Sequence, residues 1–241
     1  MALFEVTGLT YDYPDGHRAL CGIDFALEEG ARVAVVGANG SGKSTLLLLL
    51  AGCLSPKAGR IVLRGGAAKP DALRRQIGLV FQEPDDQLFM PSVLEDVAFG
   101  LVARGVEPDE AKRRASGELG RFGIPHLAPR PPHRLSGGEK RAAALCGILA
   151  AQPDVALLDE PSSSLDPRAR KRLIEILRTL DCPLIVATHD LDMALDLCDT
   201  VLLLSGGRSV ALGVSRDLLS DGKLLRENGL ELPLSLDRRT S

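Results

Sequence analysis

A glycine-rich octapeptide, GANGSGKS at 37–44, constrains this chain more than any other stretch of its sequence. It fits the pattern GxxxxGK[ST]. The run 32–36 before it carries no charge after its first residue and predicts a buried central strand, and the run 44–54 after it predicts a helix. In this order the glycines let successive backbone N–H groups point inward, and the helix N-terminus adds a positive field. The sequence therefore predicts a site for a nucleoside triphosphate.

Each position of this loop has an expected contact with the nucleotide. Lys43 would reach the β- and γ-phosphates, Ser44 would hold Mg²⁺, and the backbone amides around Thr45 would bind the α-phosphate. The other loop positions expected to bind the nucleotide are Gly37, Ala38, Asn39, Gly40, Ser41 and Gly42. The alternative is a chance glycine-rich turn, and the predicted strand before the loop and helix after it argue against that.

Two carboxylates follow the apolar run VALL at 155–158. A parallel strand delivers its last residues to the same edge of the sheet as the phosphate loop. Asp159 is therefore expected to organise Mg²⁺, and Glu160 is expected to orient and deprotonate the attacking water. Phosphoryl transfer needs mainly positioning and charge neutralisation, so these few groups suffice. Without the phosphate loop, the two acids could equally well lie in a solvated turn.

The composition limits the class of protein. The chain has 241 residues, 45% of them hydrophobic, and a formal net charge of -3. This length suits one large domain, and the small negative charge argues against a general nucleic-acid binder. The longest nearly apolar stretch, 46–54, is about half of a bilayer span, and no signal peptide is visible. The cysteines are scattered without a CxxC pair, which favours buried thiols in a reducing cytosol.

The hydrophobic pattern divides the chain into a sheet region and a helical insertion. Turn signals between short apolar runs predict small antiparallel strands over 1–35. Further buried strands, separated by helical stretches as in a parallel α/β sheet, are predicted at 77–81, 155–158, 184–187 and 201–204. Helical periodicity predicts a block of helices at 92–104, 108–122 and 138–151.

The pentapeptide LSGGE at 135–139, taken with the two motifs above, resembles the signature of the nucleotide-binding subunit of ABC transporters. The resemblance implies an α/β P-loop NTPase (RecA-like) fold. That fold has a parallel-sheet core, an N-terminal antiparallel β subdomain and an inserted α-helical subdomain. It further implies a single domain over 1–241, with the core at 1–90 and 152–241 and the helical subdomain at 91–151.

In that family, ATP is held between the phosphate loop of one subunit and the signature of another. Ser136, Gly137 and Gly138 would then contact the γ-phosphate of the partner's ATP. The resemblance therefore implies a second copy of the chain, or a paralogous ATPase subunit, arranged head to tail with two composite sites. It implies no nucleic-acid partner.

Four further positions match motifs of the family. Gln82 resembles the Q-loop glutamine, which contacts Mg²⁺ and the attacking water. Asp166 resembles the D-loop aspartate that reaches across the dimer, and His189 resembles the switch histidine that holds the γ-phosphate. Tyr13 resembles the aromatic residue that stacks on adenine, although Tyr11 is close enough to compete.

Two other classes of protein share part of the pattern. SMC-like DNA-repair and chromosome-organising ATPases insert long coiled coils between the two halves of the site. Here only 52 residues separate Gln82 from Leu135. The intact Glu160 and His189 argue against a regulatory module that binds ATP without hydrolysing it. Serines stand at two positions where the family usually has Thr and Gly, without removing a catalytic group: Ser162 and Ser164.

The segment FQEPDDQLFMPSVLEDVAFG at 81–100 resembles the ATPase subunits of energy-coupling factor (ECF) importers. In those systems two ATPases carry an integral membrane coupling protein and a small substrate-binding membrane protein. The chain is therefore expected to lie peripherally at the cytoplasmic face of the cell membrane. A groove floored by this segment would receive helices of the membrane partner, with contacts from Asp85, Asp86, Leu88, Phe89 and Met90. The alternative is that the segment only caps the helical subdomain.

The segment 187–213 most resembles the ATPases of cobalt importers, while nickel and biotin importers share much of the pattern. The resemblance thus implies uptake of a transition-metal ion, with cobalt favoured. The four histidines show no metal-ligand spacing with the cysteines. The membrane partners are therefore expected to handle any transported metal.

Overall fold

The structure is a computed structural model that describes residues 2–163 and 165–237. The described strands form two sheets. In chain order they are β1 (Ala2–Asp12), β2 (Arg18–Glu28), β3 (Arg32–Val36), β4 (Ala58–Leu63), β5 (Gly66–Ala67), β6 (Ile77–Val80), β7 (Val155–Asp159), β8 (Leu184–Thr188), β9 (Thr200–Ser205) and β10 (Arg208–Val214).

The described α-helices lie between and beyond these strands. They are α1 (Lys43–Leu50), α2 (Pro70–Gln76), α3 (Val93–Ala103), α4 (Pro108–Arg121), α5 (Gly137–Ala150), α6 (Pro167–Arg178), α7 (Leu191–Leu197), α8 (Ser215–Ser220) and α9 (Gly222–Glu227). Short 3₁₀ helices cover Pro84–Asp86, Pro125–Leu127 and Pro132–Arg134.

The larger sheet has six strands in the order β10–β9–β3–β8–β7–β6. Adjacent strands of this sheet pair in parallel, except that β10 pairs antiparallel with β9. Strands β7 and β8 are buried along their whole length, which explains their apolar runs. Because parallel strands end at the same edge, the loops that follow β3, β6, β7 and β8 converge there.

Helix α1 lies between the two sheets. The smaller sheet has the order β2–β1–β4–β5, and all its pairs are antiparallel. Its inner residues Phe4 and Ile23 share one apolar core with Leu46 and Leu50 of α1 and with Val35 of β3. A helix that is apolar nearly all round needs burial on every side. This core therefore fixes α1 and the glycine-rich loop that precedes it.

A block of helices is inserted between β6 and β7. Helices α3 and α4 pack on α5, and their buried residues Val97, Leu119 and Leu145 belong to a second apolar core on the other side of the larger sheet. The prediction of an α/β P-loop fold, with a parallel core, an N-terminal antiparallel sheet and inserted helices, is thereby confirmed.

The helix after the phosphate loop is shorter than its sequence pattern suggests. The apolar run predicts a helix to residue 54, but α1 ends at Leu50. Gly52 has a φ of +72°, and a Cβ there would lie 2.5 Å from the carbonyl oxygen of Pro70. This close approach to α2 requires glycine in a left-handed conformation, which ends the helix.

Candidate active site

Loops at the carboxyl edge of the larger sheet enclose an open cleft of about 430 Å³. Its walls are the phosphate loop, the residues after β1, and the residues that follow β6, β7 and β8. The predicted site residues that line it are Tyr13, Asn39, Gly40, Gly42, Lys43, Ser44, Thr45, Gln82, Glu160 and His189. Three residues that the sequence did not indicate also line it: His17, Ala19 and Ser163. The fold thus brings residues from widely separated parts of the chain to one surface.

Two glycines of the phosphate loop occupy positions that leave no room for a side chain. Gly42 has a φ of +103°, and a Cβ there would lie 2.7 Å from Leu20 Cδ2 and 2.8 Å from the Ala19 carbonyl oxygen. At Gly37 a Cβ would lie 2.3 Å from the carbonyl oxygen of Leu204. The loop is therefore seated tightly against its neighbours. Gly37, Ala38 and Ser41 belong to this loop but not to the described lining of the cleft.

The Lys43 ammonium group is a nearly buried cation beside the cleft, with its side chain 7% exposed. Nζ donates to the carbonyl oxygens of Gly37 at 2.9 Å and Ala38 at 3.4 Å. It also lies 3.8 Å from Glu160 Oε1. A cation at the positive N-terminal end of α1 makes this a strong site for phosphate oxygens.

Replacing Lys43 by alanine should weaken MgATP binding about 30-fold, because one charge-assisted contact to the phosphates is lost, on the order of 2 kcal/mol. Titration calorimetry of the purified chain measures this. Lys171→Ala, which removes an exposed cation of α6, is the matched control and should bind like the wild type. An unchanged dissociation constant for Lys43→Ala would contradict the role given to this lysine.

Asp159 and Ser44 offer oxygen ligands beside Lys43. Asp159 ends β7 and is 7% exposed. Burial raises the pKa of its carboxyl group, and a hydrogen bond from the Ser44 hydroxyl partly opposes that rise. Asp159 Oδ1 is buried and has no hydrogen-bond partner in the part of the chain that the structure describes. Mg²⁺ prefers carboxylate and hydroxyl oxygens, so this orphaned oxygen beside a hydroxyl fits the predicted ion.

Glu160 is held in a strained backbone conformation at the end of β7. Its φ is +47°, a region that residues other than glycine rarely adopt. Its backbone N–H donates to the Ala187 carbonyl at 2.8 Å, and its Oε2 lies 2.7 Å from His189 Nδ1. The neighbouring parallel strands β7 and β8 thus bring the predicted base and the predicted switch histidine into direct contact.

Of the two tyrosines, Tyr13 is the one that lines the cleft. Its hydroxyl lies 3.0 Å from Thr45 Oγ1, and its ring stacks on His17 with ring centroids 6.4 Å apart. Tyr11 packs instead against the core of the smaller sheet and meets Tyr13 edge to face. The geometry therefore favours Tyr13 over Tyr11 as the aromatic neighbour of the nucleotide, with His17 beside it.

Arg141 on α5 is a candidate that the sequence motifs did not indicate. It is 6% exposed, and its guanidinium donates to the Gln82 carbonyl at 2.8 Å, to Ser163 Oγ at 2.9 Å, and to the Glu160 carbonyl. Burial lowers the pKa of this group. One side chain therefore ties the inserted helices to the loops after β6 and β7. No signal in the sequence indicated this role, because the partners of Arg141 are two backbone carbonyl groups and a serine hydroxyl.

Arg141→Met should lower the free energy of unfolding by about 3 kcal/mol, because it leaves acceptors unpaired on two different loops, among them the buried carbonyl of Glu160. Urea denaturation without nucleotide measures this. Arg134→Met, at an exposed position just before α5, should change the stability by less than about 0.5 kcal/mol. Equal effects of the two substitutions would show that Arg141 does not join these segments.

The predicted signature residues Ser136, Gly137 and Gly138 lie at the start of α5. Among the described residues that line the cleft, none comes from this segment. Ser136 and Gly137 are exposed, and Ser136 caps α5 in a capping box with Glu139. The N-terminus of α5 is thus presented to the outside of the chain, where backbone N–H groups can meet an anion.

Asp166, predicted to act across a dimer, is exposed and lies outside the described lining of the cleft. Its carboxylate caps α6 by accepting from the N–H groups of Arg168 at 2.9 Å and Ala169 at 2.8 Å. Ser164, singled out in the sequence as a departure from the family motif, lies outside the described residues.

Three features lie at one edge of the parallel sheet: a phosphate loop that leads into a helix, the acidic end of β7, and a histidine after the neighbouring strand β8. Together they define a P-loop ATPase. Comparison with known proteins narrows this class. The pattern of the family described as "ABC transporter" matches residues 20–163. A putative ABC transporter ATP-binding protein of Streptomyces avermitilis is 47% identical over 98% of this chain and 91% of its own length.

Energy-coupling factor proteins are among the relatives. The energy-coupling factor transporter ATP-binding protein EcfA of Methanosphaera stadtmanae is 41% identical over 96% of this chain and 86% of its own length. The solved structure of cbiO1 from Clostridium perfringens, part of the ABC transporter complex cbiONQ, matches with a TM-score of 0.82. It is 36% identical, and the match covers 100% of this chain and 99% of that one.

A dimeric ATP-binding cassette, MJ0796, solved in a post-hydrolysis state with ADP and Pi, matches with a TM-score of 0.80. It is 25% identical, over 88% of this chain and 99% of that one. The chain therefore belongs to the ABC transporter family, in its energy-coupling factor type, and it is an ATPase that binds ATP with Mg²⁺.

Proposed function

We propose that this chain is the ATP-hydrolysing subunit of an ECF-type importer, in which two copies, or one copy and a paralogue, close on two ATP molecules. The observation that carries the proposal is the separation of the two halves of the site. The phosphate loop lines the cleft, whereas the signature at the start of α5 is exposed and lies outside the described lining. A signature so placed is accessible to the nucleotide of a second subunit, which supports a shared site. The likeness to a dimeric cassette supports the same arrangement.

The residues around the cleft have separate roles in hydrolysis. Lys43 and the loop N–H groups hold the phosphates, while Ser44 and Asp159, with Gln82 nearby, would hold Mg²⁺. The bound ion would neutralise charge on the β- and γ-phosphates. Glu160 accepts a proton from the water as the water oxygen attacks the γ-phosphorus, and the bond to the β-phosphate oxygen breaks. His189, hydrogen-bonded to Glu160, orients that carboxylate and reaches toward the γ-phosphate.

The surface for the membrane partner lies beside the loop after β6. None of the described helices is both long enough and apolar enough to cross a bilayer. Phe89 is 64% exposed, Phe99 44% and Val102 43%, and the two phenylalanine rings meet edge to face at 4.9 Å. We call these three residues the coupling surface. Such an exposed apolar cluster supports docking of a helix of an integral membrane protein at the cytoplasmic face.

Opening and closing of the subunit pair would move the coupling surface and so drive the membrane partner. Because the closed pair has a higher affinity for ATP than for the products, ATP binding favours closure and product release favours opening. The resemblance of the segment 187–213 to cobalt-importer ATPases supports cobalt as the cargo.

Purification of the chain together with its membrane partners in detergent tests this proposal. Mass spectrometry should identify small integral membrane proteins, and elemental analysis of the complex should find bound cobalt. Bound nickel, or a vitamin without metal, would keep the transport function and overturn the choice of cargo. A preparation in which no integral membrane protein accompanies the chain would contradict the transport function itself.

A further inference from the structure

The carboxylate of Asp96, in the first turn of α3, holds the loop that carries Phe89. Asp96 Oδ1 accepts hydrogen bonds from the backbone N–H groups of Phe89 and Met90, each at 3.0 Å. The residue is only 9% exposed. A single carboxylate oxygen therefore accepts from two consecutive peptide groups of the loop, in which Phe89 is exposed and Leu88 packs against the core.

This arrangement is unfavourable for Asp96 itself. Its other oxygen, Oδ2, is buried and has no hydrogen-bond partner among residues 2–163 and 165–237, and burial raises the pKa of the carboxyl group. An unpaired buried oxygen destabilises a folded chain. Ser92 caps α3 by accepting from the Glu95 N–H, so the cap does not use Asp96. The side-chain hydrogen bonds that the Asp96 carboxylate makes within the described residues are the two to the loop.

Those two hydrogen bonds fix the position of the Phe89 backbone. Phe89 is 64% exposed, and its ring meets Phe99, one turn beyond Asp96 on α3, at a centroid distance of 4.9 Å. Asp96 thus fixes the backbone of Phe89 and Phe99 supports its ring, both from the same helix. An exposed aromatic side chain that is already held in place loses little conformational freedom when it enters a partner's pocket.

We infer that Asp96 is a positioning residue for docking of the membrane partner. By bonding to the backbone at residues 89 and 90, it holds the coupling surface ready for an apolar helix of an integral membrane protein. The inference rests on the proposed transport function. It assigns to Asp96 no contact with ATP and none with the partner.

The experiment compares four variants of the full chain, each co-expressed with the integral membrane proteins that accompany the wild type. Asp96→Ala removes the acceptor, and Asp96→Asn restores one. Phe89→Ala removes the aromatic ring, and Asp109→Ala, at an exposed position of α4, is the matched control. Hydrogen exchange of the Phe89 and Met90 amides is measured in the free chain, and the recovered partner is quantified in detergent.

In Asp96→Ala, exchange of the two amides should accelerate about tenfold or more, while protection of the larger sheet persists. Partner recovery should fall about tenfold, as in Phe89→Ala, because an exposed aromatic anchor is lost or misplaced. Asp96→Asn should keep most of both properties, and Asp109→Ala should match the wild type. Full partner recovery with Asp96→Ala, despite accelerated exchange, would overturn the inference and leave the transport function standing. Loss of recovery with unchanged exchange at both amides would also overturn it. Absence of any integral membrane partner from the wild type would instead refute the proposed function.

Discussion

Replacing Glu160 by glutamine should reduce ATP hydrolysis about 1,000-fold and leave a closed, ATP-bound pair of subunits. The amide has nearly the same shape as the carboxylate, but it cannot accept the proton of the attacking water, and the loss of a general base costs about this much. Glutamine can still pair with His189 Nδ1, which now lies 2.7 Å from Glu160 Oε2. It also removes a negative charge from beside the γ-phosphate, so the closed pair should persist.

Phosphate release and light scattering in MgATP measure the two effects together. Glu175→Gln, at an exposed position on α6, should hydrolyse ATP at the wild-type rate and is the matched control. A Glu160→Gln chain that stays monomeric in MgATP, or that hydrolyses ATP normally, would contradict the assignment of Glu160 as the base.

Replacing Ser136 by arginine should abolish hydrolysis while leaving MgATP affinity of the single chain nearly unchanged. Ser136 lies outside the described lining of its own cleft, so the bulky cation would disturb only the site built with a second subunit. Arginine also removes the Ser136–Glu139 capping box, which costs the helix about 1 kcal/mol.

Calorimetry with MgATP and a phosphate-release assay separate binding from catalysis in this variant. Ser136→Thr keeps a capping hydroxyl and should keep most of the activity, which separates loss of the cap from obstruction of the site. Equal losses of affinity and hydrolysis in Ser136→Arg would argue that the signature acts on the nucleotide of its own chain.

The sequence could predict those parts of the site that depend on local order along the chain. The phosphate loop, the strand before it and the acids after β7 are contiguous motifs, and parallel strand ends meet at one edge by geometry. This is why Glu160 was expected beside the phosphate loop. Gln82 and His189 were instead expected from their resemblance to motifs of the ABC family, and the cleft contains all three residues.

Features that depend on long-range contacts could not be predicted in the same way. Arg141 donates to the backbone carbonyls of Gln82 and Glu160, 59 and 19 residues away in the chain. Because every residue has a backbone carbonyl, the sequence does not show which ones accept these bonds. Likewise, a glutamate at position 160 does not predict the φ of +47° that the structure shows there. Which tyrosine lies beside the nucleotide site depends on which side chain packs on the core, and that side chain is Tyr11. The end of α1 depends on the close approach of α2 to Gly52.

Mixing two inactive variants tests most directly whether each site is shared between two subunits. The assay uses an ATP concentration near the wild-type dissociation constant, at which the weakened site of Lys43→Ala stays nearly empty. Ser136→Arg lacks a working signature at any ATP concentration. In a mixed pair, one site combines the intact phosphate loop of one chain with the intact signature of the other. Random pairing of equal amounts would leave about a quarter of all sites intact. We expect the mixture to recover about a quarter of the wild-type rate of phosphate release, while each variant alone stays near background. A mixture no more active than its separate components would contradict the shared site.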